Sequence, residues 1–184
     1  MSGSFLRADT IKQRWLMGTR QPVHFSAYEK MHFGWISPAL VDLSAWTTHD
    51  VPLGAVETSQ EALILYNPAR NDTEFFMIEN RFRGPLPGIA NYDSFLNASA
   101  GPVLWHIVED VAALNPAFPP PTANPATWPM RLATYGWPAG GIQDWGVITM
   151  GTSVTLKWAD GTPVGATVVG GLSGATSVVT IKKP

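Results

Sequence analysis

Residues 74–110 read EFFMIENRFRGPLPGIANYDSFLNASAGPVLWHIVED. Two runs in it, Glu74 to Phe82 and Pro102 to Glu109, are apolar and aromatic enough to be buried strands. The Gly/Pro/Asn stretch between them is too long for a tight hairpin. Polar residues nevertheless sit inside both runs. Glu79, Asn80 and Arg81 follow Phe75, Phe76, Met77 and Ile78, and His106 lies between Trp105 and Ile107. Burying such groups without partners costs free energy, so the pattern predicts a structural polar hub of Glu79, Asn80, Arg81 and His106, buried and mutually bonded.

Outward from this stretch, the remaining segments after Pro38 have the same texture. Ala39 to Leu43, Ala45 to Leu53 and Ala62 to Tyr66 are aliphatic or aromatic runs bounded by Pro, Gly, Asn and Asp, as strands are. Gly146 to Met150, Ser153 to Trp158, Gly165 to Val169 and Ser177 to Lys182 continue the series, with Asp160-Gly161 as a hairpin signal. Val154, Leu156 and Trp158 alternate with Thr155 and Lys157, which buries one face of that strand and wets the other. The Pro-rich segment at about 115–141 reads as an excursion. The fold class expected is mainly β, a sandwich-like body with one or two short N-terminal helices.

Residues 1–37 form the helical lead-in and 38–184 the β domain. Phe5, Leu6, Ala8, Ile11, Trp15 and Leu16 fall loosely at helical spacing. A second helix opens after Pro22, where Ser26 and Glu29 make a capping-box pattern and Gly34 supplies the stop. This helix is expected to deliver Trp35 to the core.

Composition excludes several classes of function. The 184 residues include 14 % charged residues with a formal net charge of -2, so no basic footprint for nucleic acid exists. There is no cysteine, hence no disulfide or thiolate metal site. No window approaches the length of an apolar membrane span, and the N-terminus lacks the apolar core of a signal peptide. G-x-S-x-G, G-x-x-x-x-G-K-[ST] and G-x-G-x-x-G are all absent. His24, His32, His49 and His106 show no compact ligand spacing, which leaves no zinc site legible in the chain.

The remaining candidates are few. Glu79, Glu109 and His106 are the groups that could do acid/base work in a hydrolase lacking a recognisable motif. The structural reading, ion pairs of Glu79 with Arg81 and of Glu109 or Asp110 with loop groups, outweighs it. Asp93, Glu109 and Asp110 are candidate calcium ligands. Trp128, Trp137 and Trp145, in or beside the Pro/Gly-rich segment, are the indoles with a claim to exposure, and exposed indoles would suit a carbohydrate-binding module. Trp105 and Trp158 read as core.

Three stretches, HFSAYEKMHFGWISP, EFFMIENRFRGPLPG and GPVLWHIVED, resemble in order and spacing the segment that follows the zinc site in immune inhibitor A-type bacterial metalloproteases. The matches are Lys30, Gly34 and Trp35, then Glu79, Asn80 and Arg81, then Gly101, Leu104, Trp105, His106 and Asp110, over roughly residues 1–110. The resemblance implies a secreted, zinc-dependent peptidase family in which an H-E-x-x-H helix precedes this segment. That helix is missing here. The chain is therefore expected to be a distal, non-catalytic part, a fragment whose partner is the missing catalytic part or a protein substrate, with no cofactor of its own unless calcium. Whether it is an enzyme is left open by the sequence.

Overall fold

The computed structural model describes residues 25–70, 74–91, 93, 101–108, 130–132, 148, 150–171 and 174–183, and among these Ser26 caps the first secondary-structure element. Its hydroxyl accepts from the Glu29 amide at 3.2 Å, and the Glu29 carboxylate accepts from the Ser26 amide at 2.9 Å. This capping box starts helix α1, Ala27–His32, and satisfies amides that a helix otherwise leaves open. Gly34, at φ 71°, ends it by turning the chain back, so that the Trp35 amide reaches the Lys30 carbonyl at 2.8 Å. The expected earlier helix and the residues before Phe25 lie outside the described residues.

The described strands are β1 (Ala39–Asp42), β2 (His49–Gly54), β3 (Leu63–Tyr66), β4 (Glu74–Arg81), β5 (Gly101–Val108), β6 (Met130–Leu132), β7 (Ser153–Lys157), β8 (Pro163–Gly170) and β9 (Thr176–Lys182). They form a five-stranded sheet in the order β1-β3-β4-β5-β6 and a four-stranded sheet in the order β2-β9-β8-β7. The protein is mainly β and sandwich-like. β2 leaves the first sheet for the second and the chain then returns, which makes β1 and β3 parallel while the other strand pairings are antiparallel. β6 falls within the Pro-rich segment read from sequence as an excursion, and its three residues pair with Trp105, His106 and Ile107.

Side chains alternate along a strand, and this divides the core in two. Leu63, Leu65, Phe76, Ile78 and Leu104 from the first sheet meet Leu53, Leu156, Ala166, Val168, Val179 and Ile181 from the second. On the other face of the first sheet Ile64, Phe75, Met77, Val103, Trp105 and Ile107 pack with Ala27 and Tyr28 of α1. β4 is thus covered on both sides, which explains its unbroken run of buried residues.

Asn80 faces the sandwich interior and ties the sheets together. Its amide nitrogen lies 3.1 Å from the Leu53 carbonyl, 3.0 Å from that of Gly174 and 3.3 Å from that of Ala175, and its oxygen accepts from the Ser177 hydroxyl at 2.8 Å. At the opposite end the β7–β8 hairpin turns through Asp160 and Gly161, at φ 85°, as the Asp-Gly signal predicts.

Replacing Asn80 with Ala removes one hydrogen-bond partner each from the Ser177 hydroxyl and the Leu53, Gly174 and Ala175 carbonyls, although Ala175 keeps the Ala55 amide. The expected loss is about 2 to 3 kcal/mol in chemical denaturation. Asn80→Asp, which turns a carboxylate toward the same carbonyls, is expected to lose at least as much.

Candidate functional site

The C-terminal end of β4 carries the residues that sequence singles out, and strand geometry sends them to opposite faces. Glu79 and Arg81 point toward α1, whereas Asn80 points into the sandwich.

Glu79 has no exposed surface. One carboxylate oxygen accepts from the Trp105 indole N–H at 2.7 Å and from Arg81 Nε at 3.1 Å. The other accepts from the Ala27 backbone amide at 2.6 Å, an amide at the start of α1 that the helix itself cannot satisfy. Arg81 extends the chain of charges by binding Asp93 through Nη1, at 3.0 and 3.1 Å to the two carboxylate oxygens. The Asp93 amide in turn donates to Glu57 at 2.7 Å. Burial works against the Arg81 charge, but Asp93 and Glu79 together outweigh it and hold the guanidinium above its ordinary pKa.

Lys30 enters the same junction from α1. Its ammonium group donates to the Val56 carbonyl, and burial pushes its pKa below the usual lysine value, opposed by the nearby Glu79 charge. Burial also raises the Glu29 carboxyl, against the hydrogen bonds from Ser26. The junction therefore joins α1, β4, β5 and the 55–57 segment through charged groups that face one another.

His106 belongs elsewhere, and here the sequence expectation of one mutually bonded hub is corrected. Its Nε2 lies 2.9 Å from Glu74 Oε1, and its ring stacks on Phe76 at a centroid distance of 4.4 Å. The physical reason is register: His106 lies opposite Phe76, so both face the sandwich interior, whereas Trp105, opposite Met77, faces α1 with Glu79. Glu74 Oε1 also accepts from the Ala159 amide at 2.6 Å, which attaches the β7–β8 hairpin to β4. Arg70 covers the attachment: it binds Asp160 at 2.7 Å and the Thr162 hydroxyl at 2.5 Å, and stands 5.0 Å above the Trp158 ring.

The described acid/base candidates, Glu79 and His106, are thus on opposite faces of one sheet. Glu109, Asp110, Trp128, Trp137 and Trp145 are outside the described residues. Asp93, a calcium candidate, has both oxygens engaged by Arg81, and no group of three or more His, Asp or Glu that could hold a metal occurs among the described residues.

Trp35 is also corrected. It is 53 % exposed rather than in the core, because the reversal at Gly34 lays its ring on Phe25 and Phe33 at the surface. Trp105 and Trp158 are buried. Sequence reasoning missed Lys30 as a member of the buried junction and Glu74 as the partly buried partner of His106. The signal for Lys30 was its place one residue after Glu29 on a short helix with an apolar inner face.

Comparisons of the chain with protein-family profiles, curated protein sequences and solved structures find no match.

Two measurements test this account of the charges. Glu79→Gln presents an amide N–H₂ to groups that are all donors and leaves Arg81 short of a counter-charge, so a loss of about 3 to 5 kcal/mol is expected on urea unfolding. A change within about 0.5 kcal/mol of wild type would refute the role assigned to the carboxylate. Asp160 is held at about 2 by hydrogen bonds from Thr162 and Arg70, below its ordinary 3.8. A depressed carboxyl pKa stabilises the fold above the unfolded value and ceases to do so as pH falls through the folded one. The stability difference between wild type and Asp160→Asn is therefore expected to be constant above about pH 5 and to shrink between about pH 4 and 2 in acid titrations followed by circular dichroism.

Proposed function

We propose that the chain is a non-catalytic β-sandwich part of a secreted metalloprotease-like protein, in which the α1–β4–β5 junction fixes the helical lead-in on the sandwich. One observation carries the reading. The three stretches that resemble the immune inhibitor A-type metalloproteases are separate in sequence, yet they supply Lys30, Glu79, Arg81 and Trp105 to a single buried junction. A motif that builds a rigid mount for what precedes it suits a segment that follows a catalytic domain.

The chemistry of the junction argues for mounting rather than turnover. A general base must present a lone pair to a substrate proton within hydrogen-bonding reach. Glu79 presents its oxygens to Ala27, Arg81 and Trp105 beneath a helix, with no exposed surface. His106 presents its Nε2 to Glu74 on the other face. Glu79 and His106, the two described candidates, lie on opposite faces of the sheet and do not converge, which weakens the reading as a hydrolase of unrecognised motif. The carbohydrate-binding alternative rests on Trp128, Trp137 and Trp145 and gains no support from the described residues.

Zinc catalysis needs three protein ligands, an open position and a carboxylate near the bound water. The isolated chain is expected to bind no stoichiometric zinc and to leave a casein substrate intact, measured by elemental analysis beside a proteolysis assay. Stoichiometric zinc with chelator-sensitive cleavage would overturn the proposal and would require a site assembled from His24, His32 and His106. Reading the coding sequence ahead of this chain tests the other half: an in-frame H-E-x-x-H helix supports the assignment, and a locus without one removes it.

A further inference from the structure

The β7–β8 turn carries the chain's single Asp-Gly pair, Asp160-Gly161, and the chain has no Asn-Gly pair. An Asp-Gly pair is chemically labile wherever its two groups are free to approach. The Gly161 nitrogen, unshielded by a Cβ, attacks the Asp160 carboxyl carbon. The N–Cγ bond forms, the Cγ–OH bond breaks, and water leaves with the proton from nitrogen. Water then opens the cyclic imide at Cγ, which restores aspartate, or at the main-chain carbonyl, which leaves isoaspartate and an added methylene in the backbone. The reaction proceeds from the protonated carboxyl, since hydroxyl leaves as water.

The turn opposes each of these requirements. Asp160 Oδ1 accepts from the Thr162 amide at 2.8 Å and from the Thr162 hydroxyl at 2.6 Å, and Oδ2 accepts from Arg70 Nη1 at 2.7 Å. Arg70 Nη2 donates to the Thr162 hydroxyl oxygen at 2.5 Å, which leaves that hydroxyl's own proton for Asp160. The Gly161 N–H is occupied by the Trp158 carbonyl at 2.8 Å. Hydrogen bonds from Thr162 and Arg70 hold Asp160 at about 2, so at neutral pH its reactive acid form is more than about tenfold scarcer than in an ordinary aspartate. Asp160 is exposed, and an exposed ion pair contributes little to stability. Three donors on one exposed carboxylate therefore do more for its chemistry than for the fold.

We propose that Asp160-Gly161 is a latent isoaspartate site and that Arg70 and Thr162 guard it against imide formation. The guard protects more than one residue, because the neighbouring Ala159 amide attaches the hairpin to Glu74, and a lengthened backbone at Asp160 displaces that attachment. The inference is independent of the metalloprotease reading.

The full chain is incubated at neutral pH and physiological temperature in water enriched in oxygen-18, and residue 160 is followed by mass spectrometry of proteolytic peptides. Each passage through the imide adds one heavy oxygen, whether it ends in aspartate or isoaspartate. A synthetic peptide covering residues 156–164 supplies the unguarded rate. Wild type is expected to label at least about tenfold more slowly than the peptide, and Arg70→Ala and Thr162→Val several-fold faster than wild type. Thr162→Val decides alone if near-UV circular dichroism shows that Arg70→Ala has lost its native fold. Asn80→Ala, which loosens the sandwich away from this turn, is expected to label as slowly as wild type. Wild-type labelling at the peptide's rate overturns the proposal, and so does slow labelling in every folded variant. Labelling of Asn80→Ala as fast as the Arg70 or Thr162 variant also overturns it, by assigning the protection to overall stability.

Discussion

A carboxylate with no contact to solvent is tolerable only if opposite charge and hydrogen-bond donors surround it, and Glu79 imposes that condition on its neighbours. Arg81 must lie beside it, the Trp105 indole must point at it, and the first amide of α1 must close over it. These partners come from one strand, its neighbour and a helix some fifty residues earlier. The helix therefore cannot slide or lift without exposing a half-satisfied charge to an apolar interior. A hydrophobic contact between α1 and the sheet would hold the helix too, but it would not specify one position, because apolar packing has little directionality. The hydrogen bonds from the Ala27 amide to Glu79 and from Lys30 to the Val56 carbonyl specify that position, while the net energy of the buried Glu79–Arg81 pair after desolvation is modest.

The same logic operates on the inner face of β4. Asn80 reaches the backbone of β2 and the turn before β9, and Glu74 reaches the backbone after β7. Each is a polar side chain bonded to main-chain groups of the opposite sheet. Backbone groups of β2, of the turn before β9 and of the residues after β7 are thereby bonded to side chains from β4. β4 thus serves as the central strand of its sheet and as the strand that fixes the second sheet over it. The charged residues on it are structural in geometry: Glu79 and Arg81 are buried, Glu74 is partly buried, and each faces fixed partners. A site for chemistry would instead keep at least one reactive atom open to a substrate.

The polar groups also explain why the chain is informative only in part about function. The stretches around Lys30, Glu79 to Arg81 and Trp105, on which the proposed function rests, are those that build the junction, so they report a physical requirement of the fold. A motif made of buried, mutually satisfied residues identifies a way of attaching one element to another. It does not by itself identify a reaction.

Much of the architecture was legible in the sequence because it follows from local rules. Alternation in Val154–Trp158, the Asp160-Gly161 turn, the Ser26–Glu29 capping box and the Gly34 stop depend on neighbours within a few residues, and each occurs as read. The continuous apolar character of Phe75–Ile78 likewise marks a strand covered on both faces. What tertiary structure alone decided was which face each polar residue took and what met it there. His106 and Trp105 are adjacent in sequence yet serve opposite sides of the sheet, a consequence of the β4–β5 register that no local pattern encodes. The pairing of Glu79 with Ala27, of Asn80 with Leu53 and Ser177, and of Glu74 with Ala159 spans distances along the chain that periodicity cannot see. The surface position of Trp35 was hidden for the same reason: burial is set by what packs over a residue, and a single glycine with positive φ turned that indole away from the core.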